Sequence, residues 1–393
     1  MPDPLAWLDV EADERARLEL VRRRVTFEVT GPGRVRDGER ELINFASNDY
    51  LGLANDPRLA AAARRAAEVE GWGAGASPLV SGWRRSHEAL AVELAEFEGT
   101  EAALLFPTGF AANLGAVAAL VGKGDAAYLD RLDHACLVAG AKAAGASVRV
   151  YPHHDIDRLE SILMRDSGRF RRSLIATDGV FSMDGDLAPL AGLADLADRF
   201  GAMLLVDEAH GTGVFGPDGR GATSECGVAD RVQVRVGTLS KALGSIGGFV
   251  AGSGRLVDHV LHRAPSFVYS TALPPAAAAA AREALAIARA EPWRRDRARA
   301  LGRRVAEALR RAGLDVGPIA GPIVPVVVGD PARALSLSRS LRDRGLLVPA
   351  IRPPTVPRGT SRLRISLSAA HAEGDVRSLI EECRTLPPSS LRG

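Results

Sequence analysis

From Glu101 to Lys241 the chain alternates between short apolar runs and longer segments of helical spacing. The runs are AALLF, AAYLD, VRVYP, SLIATDG, MLLVDEAH and VRVGTLS. A strand that is apolar on both faces needs cover on both faces, and the intervening helices supply it. The pattern therefore predicts an α/β body with a mostly parallel sheet. In such sheets ligands sit at the carboxyl ends of the strands, and Gly109, His134, Ser182, Asp207 and Lys241 all fall there.

The flanks read differently. Residues 4–24 are expected to form an amphipathic helix ending in the triplet Arg22-Arg23-Arg24, and 31–38 a turn-rich link before a short strand near 41–45. Asp56-Pro57 is a helix start, with Asp as N-cap and Pro at the first position. The run from Ala276 to Ala281 reads as a small-residue helix packed closely against a neighbour. Beyond about residue 290 the order becomes helix, strand, helix, strand, strand, helix, which predicts a smaller α+β domain. The expected division is 1–45 as an N-terminal helix and strand segment, 46–290 as the large α/β domain and 291–393 as the small one.

Bulk properties exclude several classes. A net charge of +2 with interspersed signs argues against nucleic acid as a partner. No apolar stretch is long enough for a membrane span, and the acidic start lacks the apolar core of a signal peptide. Cys136, Cys226 and Cys383 are far apart with no CxxC, which points to a reducing, cytoplasmic compartment and to no zinc site or other metal.

The chemistry concentrates between Val206 and Phe249. One apolar run delivers Asp207, with His210 three residues on in a Gly-rich loop. The next delivers Thr238, Ser240 and Lys241, followed by Gly247-Gly248. The 50 basic residues comprise three lysines and 47 arginines, so Lys241 stands where arginine does not serve. Arginine stays protonated, whereas a lysine in such a setting can lose its proton and form a Schiff base.

Pyridoxal 5′-phosphate (PLP) asks five things of a protein, and each has a candidate. Lys241 is the amine for its aldehyde. Asp207 is the anion for the pyridine nitrogen, and His210 the partner for the phenol oxygen. His134 is the flat group over the ring. The turn Thr108-Gly109-Phe110, at a helix start, with Ser182 and Thr238, is the phosphate cradle. No GxxxxGK[ST] loop occurs, which points away from ATP.

The motifs NFASNDYLGL, GFAAN, DGVFSMDGD, DEAHGTGVFG and TLSKALG together resemble those of the α-oxoamine synthases, PLP enzymes of fold type I shaped like aspartate aminotransferase. The resemblance runs from about Arg22 to the last helix. It implies that Lys241 bears the cofactor, that Asp207, His210 and His134 serve its ring, and that Gly109, Phe110, Ser182 and Thr238 bind its phosphate and edge. It implies further that Arg364 holds an amino-acid carboxylate, that Arg22 and Thr355 contact substrate, and that Asn48 lies near the site. Ser270 and Thr271 would reach the partner subunit's phosphate in a homodimer with a shared active site.

The segment from Ala350 to His371 is most similar to the biotin-pathway branch, whose substrates are L-alanine and a pimeloyl thioester of CoA or of an acyl-carrier protein. Glycine-using sister enzymes such as 2-amino-3-oxobutyrate CoA ligase and 5-aminolevulinate synthase remain the alternative, since one methyl group is worth only about 1–3 kcal/mol in a pocket. An aminotransferase on the same fold and a non-catalytic sensor that kept the cofactor site are further rivals. One departure stands out: Asp178 occupies a position where relatives commonly have Glu, a carboxylate of shorter reach.

Overall fold

The computed structural model describes residues 3–386. The chain divides into two compact units, 48–299 and a second formed by 1–47 together with 300–393.

In the second unit, strands β1 (Glu28–Gly31), β2 (Arg34–Asp37) and β3 (Arg40–Asn44) form an antiparallel meander. The stretch expected to be a link is thus a hairpin. Its tight turn is made possible by Gly33 at φ +67, a left-handed conformation that costs glycine little. The expected helix over 4–24 is also shorter. It spans Trp7–Arg17, buries none of its residues and ends before Glu19 at φ +55, so the arginine triplet lies outside it. With no buried face, little beyond local pairs such as Arg15–Glu11 and Arg17–Glu14 holds this helix, and such pairs do not extend one far.

The 48–299 unit holds strands β4 (Ala102–Phe106), β5 (Ala126–Asp130), β6 (Ser147–Tyr151), β7 (Ser173–Asp178), β8 (Met203–Asp207), β9 (Val234–Thr238) and β10 (Gly248–Gly252). They form one sheet in the order β4-β10-β9-β8-β7-β5-β6. All neighbouring pairs from β9 to β6 are parallel, whereas β10 runs antiparallel to both β4 and β9. The order reverses between β5 and β7: β5 leads outward to β6, and β7 leads the other way to β8. That reversal opens a crevice at the strand ends.

The core explains the small residues of the sequence. Leu104, Leu129, Ala176, Leu205, Val236 and Val250 from the sheet pack against Ala112, Ala116 and Val117 of helix Gly109–Leu120 and Leu137 of helix Ala135–Ala143. These two helices approach so closely that a Cβ on Gly140 would lie 2.8 Å from Val117 Cβ. Asp56 caps helix Pro57–Glu70 as expected, accepting from Arg58 N at 3.0 Å. The alanine run lies in helix Pro275–Ala290, which packs on that helix and on helix Arg85–Glu98.

Back in the second unit, β11 (Ile323–Gly329), β14 (Ser361–Ser366) and β13 (Ala350–Ile351) form an antiparallel sheet with β14 central. Strand β12 (Leu346–Leu347) pairs in parallel with β3, which ties residues 40–44 to the C-terminal stretch in one sheet. Helices Trp293–Arg311, Pro331–Asp343 and Glu373–Arg384 supply Leu309, Leu341 and Leu379 to a core with Phe45, Val324 and Ile365.

Candidate active site

Five strand ends of the 48–299 unit converge on one cavity of about 190 Å³. Thr108, Gly109 and Phe110 enter after β4, His134 after β5 and Ser182 after β7. Asp207 and His210 come from the end of β8, and Thr238, Ser240 and Lys241 from that of β9. A larger cavity of about 590 Å³ elsewhere in this unit, beside Leu79, Trp83 and Leu261, gathers neither lysine nor histidine, so size is no guide to chemistry here.

Asp207 is held from two sides. Asn113 Nδ2 donates to its Oδ2 at 2.7 Å, and Ala209 N to its Oδ1 at 2.8 Å. The carboxylate is buried and oriented before any ligand arrives, which spares the site the cost of ordering it. Sequence reasoning missed Asn113. Its signal was a polar residue one turn after Gly109 in an otherwise apolar helix.

His134 caps helix Ala135–Ala143, accepting from Cys136 N through Nδ1 at 3.3 Å. Burial, helped by the charge of Lys241, lowers its pKa against the opposing pull of Asp207, so the ring is neutral. Its backbone N–H donates to Asp178 Oδ1 at 3.1 Å. The Asp178 carboxylate thus holds the backbone of His134. Burial first, then the charge of Asp207, pushes the Asp178 carboxyl well up. Cys136, another residue the sequence did not flag, has Sγ 2.8 Å from His134 Nδ1, and burial followed by Asp207 pushes its thiol up too.

His210 Nδ1 lies 2.7 Å from the Tyr50 hydroxyl, which donates to Asn48 Oδ1 at 3.1 Å. Asn48 thus joins the site through Tyr50, a residue sequence reasoning passed over. At the Gly109 helix start, a Cβ on Gly109 would lie 3.1 Å from Thr238 Oγ1, and one on Gly248 would fall 2.6 Å from Gly109 Cα. Glycine at both positions lets the β10 backbone touch the helix start.

Not every expected residue lines this cavity. Thr271 is exposed and Ser270 half-buried, and neither borders it. Arg364, Arg22 and Thr355 belong to the other unit. Arg364 is buried on β14 and donates to Ser366 Oγ at 2.8 Å. Arg22 donates to Thr355 Oγ1 at 3.4 Å beside a cavity of about 330 Å³ that Arg23 and Arg352 also border.

A family model described as aminotransferase class I and II matches residues 40–382. The chain belongs to the aminotransferase class I and II family. Within that family it is 53% identical to the 8-amino-7-oxononanoate synthase of Alkalilimnicola ehrlichii, over 88% of each chain. It is 52% identical to that of an Anaeromyxobacter dehalogenans strain, over 98% of this chain and 97% of the other. Among solved structures, Sphingomonas wittichii serine palmitoyltransferase superposes with a TM-score of 0.92 at 33% identity, covering 98% of each chain. A serine palmitoyltransferase from S. paucimobilis with bound PLP–myriocin aldimine gives 0.93 at 30%, covering 97% of this chain and 98% of that one. The 8-amino-7-oxononanoate synthase of Francisella tularensis gives 0.76 at 27%, covering 87% and 97%. The resemblance to α-oxoamine synthases is borne out, and the fold is the fold-type I architecture of PLP-dependent aminotransferase-like enzymes.

The donor set fits that cofactor. One lysine amine, one oriented carboxylate, the neutral imidazole of His134, the Tyr50-contacted imidazole of His210, hydroxyls of Ser182 and Thr238 and a glycine-opened helix start match an aldehyde, a pyridine nitrogen, a ring and a phosphate in turn. Among the described residues no helix is long and apolar enough to cross a membrane.

Proposed function

We propose that this chain is a PLP-dependent acyltransferase that condenses L-alanine with a pimeloyl thioester, giving 8-amino-7-oxononanoate, CO2 and the free thiol, as a step of biotin biosynthesis. The observation that carries this reading is identity of about half to curated 8-amino-7-oxononanoate synthases over nearly the whole chain, and it is supported by a cavity that gathers Lys241, Asp207, His134 and His210.

When bound, PLP supplies an aldehyde for amines and a ring that withdraws electrons from the alanine Cα. The chain's residues do the rest. Lys241 holds the cofactor through its Nζ, yields to the incoming alanine amine, and as a neutral amine takes the Cα proton. Asp207, oriented by Asn113 and Ala209, keeps a proton on the pyridine nitrogen. His134 covers the ring as a neutral imidazole, and His210, backed by Tyr50, serves the phenol oxygen. The amides at the Gly109 helix start, with Ser182 and Thr238, hold the phosphate. Arg364 receives the alanine carboxylate, and Arg22 and Thr355 contact substrate. The alanine Cα then bonds to the thioester carbonyl carbon, the thiol leaves with a proton, and loss of CO2 with return of one proton completes the balance. In this reading the enzyme is a cytoplasmic homodimer, and Ser270 and Thr271 serve the cavity of the second copy.

The test is thiol release by purified, PLP-loaded protein with pimeloyl-CoA or a pimeloyl carrier protein, offering alanine, glycine or serine, with mass spectrometry of the product. Alanine-dependent release of 8-amino-7-oxononanoate is expected. Turnover with glycine or serine alone would move the chain to a sister reaction and leave the Lys241 chemistry in place.

A further inference from the structure

Outside the cavity just described, three side chains converge, with His153 bridging Asp130 and Asp186 through its two ring nitrogens at 3.0 and 3.1 Å. His153 and His154 lie between β6 and helix Ile156–Asp166, and Asp186 lies in the loop after β7. One ligand atom from each falls within 4.8 Å of the others. We infer that His153, His154 and Asp186 form a site for a single divalent transition-metal ion of the Zn2+ class.

The spacing suits such an ion. Asp186 Oδ2 is 3.1 Å from His153 Nε2 and 3.6 Å from His154 Nε2. Tetrahedral bonds of about 2.0–2.1 Å place neighbouring ligand atoms roughly 3.3 Å apart. The two imidazoles stack with centroids 3.7 Å apart, so they present their nitrogens side by side. Two imidazoles and one carboxylate select Zn2+ and its neighbours over Mg2+ and Ca2+, which prefer all-oxygen sets. A water completes four-coordination.

Three further observations point the same way. His154 Nε2 and Asp186 Oδ1 are shielded from solvent and have no hydrogen-bond partner. Buried polar atoms are seldom left so, and an unplaced ion is one recognised reason. His154 adopts φ +61, in the left-handed region that few side chains other than Asn, Asp and His enter, and strain of this kind collects at functional sites. Asp130 Oδ1 lies 3.0 Å from His153 Nδ1 and can hold the proton there, leaving Nε2 to the ion. That carboxylate–imidazole–metal relay is how protein sites commonly orient a histidine ligand. Phe181 walls the site, its ring edge-on to both imidazoles at 4.5 and 5.3 Å. Cysteine spacing offered no hint of this site because its ligands are nitrogen and oxygen.

An ion here would pin the loop that runs from Ser182 to Asp186. Ser182 lines the cavity at one end, and Asp186 would ligate at the other. The role is structural support of that loop, removed from the reacting atoms.

The test uses full-length, PLP-loaded protein stripped with EDTA and dialysed against micromolar ZnCl2, with bound zinc counted by mass spectrometry and melting followed in parallel. One zinc per chain and a raised Tm are expected. His154→Asn, which tolerates the left-handed backbone but offers no imidazole, should keep the metal-free Tm and lose affinity at least about tenfold. Asp130→Asn should lose about 10–100-fold, while His262→Asn, exposed on helix Gly254–Arg263, should bind as the parent does. Absence of stoichiometric zinc overturns the site. So does full binding by His154→Asn and by Asp186→Asn, since the ion would then rest on other groups.

Discussion

Asp207 and Glu208 are chain neighbours, both carboxylates and both buried, yet they sit in different surroundings. Asp207 borders the cavity with Lys241 and His134, and is held there by Asn113, Ala209 and Cys136. Glu208 turns away, and its oxygens accept from Ala222 N and Thr223 N at 2.7 and 2.8 Å, closing the Gly-rich loop onto itself. A Cβ on Gly221 would lie 2.3 Å from Glu208 Oε2, so the loop is shaped around this side chain. Near it Glu98 Oε2 lies 3.7 Å from Arg235, and neither carboxyl oxygen of Glu98 is hydrogen-bonded. The difference teaches that burial of an acid does not mark function. What marks it is an oriented carboxylate with one side open to a cavity.

Lys241→Arg should break the cavity side of the comparison most severely. Thiol release should fall at least about 10³-fold, with no borohydride-reducible bond to the cofactor, because a guanidinium cannot give up its proton. Residual turnover above a tenth of the parent's would remove Lys241 from the chemistry. Asp207→Asn should follow with a loss of about 10²-fold, near 2.7 kcal/mol of barrier, and little change in Tm. Glu208→Gln should behave in the opposite way. Its amide group would confront a backbone N–H, costing stability of about 1–3 kcal/mol in urea melts, while the folded fraction keeps kcat within about threefold. If these two variants traded phenotypes, the contrast between the neighbours would be wrong.

The Glu98 region offers a gentler test through pH. Burial, then the nearby charge of Glu208, raises the Glu98 carboxyl from 4.5 to about 8. Between those values the folded chain keeps a proton that the unfolded chain has released. Stability contributed by this group is therefore complete below about pH 4.5 and is lost as pH rises through about 8, by at most about 1.4 kcal/mol per pH unit. Stability from urea melts between pH 5.5 and 7.5 should fall more steeply with pH in the parent than in Glu98→Gln; equal slopes would place the proton elsewhere. Asn113→Ala should have the smallest effect, a drop in kcat of up to about tenfold as Asp207 loses its shortest hydrogen bond while Ala209 and Cys136 still hold it, with KM for alanine little changed.

Much of this was legible from residue order. Strands that are apolar on both faces required helices on both faces, and that alone put Gly109, His134, Ser182, Asp207 and Lys241 at one edge of one sheet. Strand β10 was not legible as an antiparallel insert, because the run GGFVAG carries no mark of direction. Tyr50, Asn113 and Cys136 reach the site from a loop and from helix faces, where side-chain direction depends on packing that spacing alone does not encode. The N-terminal helix was overextended because its charge pattern is helical well beyond the point where the structure leaves it without a buried face. Asp186 and the two histidines come from separate loops, and only folding reveals that they meet.

Strand β10 also sets when the cavity comes into being. Its partner β4 leaves the ribosome about 146 residues earlier, yet Gly109 is backed only once Gly248 arrives to lie against it. Closing so long a loop is slow, and domains fold as units during synthesis. An incomplete chain ending before β10 would carry the helix start, the carboxylate and the lysine, but with a sheet still split along the β4–β9 seam. The nascent protein is thereby kept from capturing its cofactor until nearly two-thirds of it has been made.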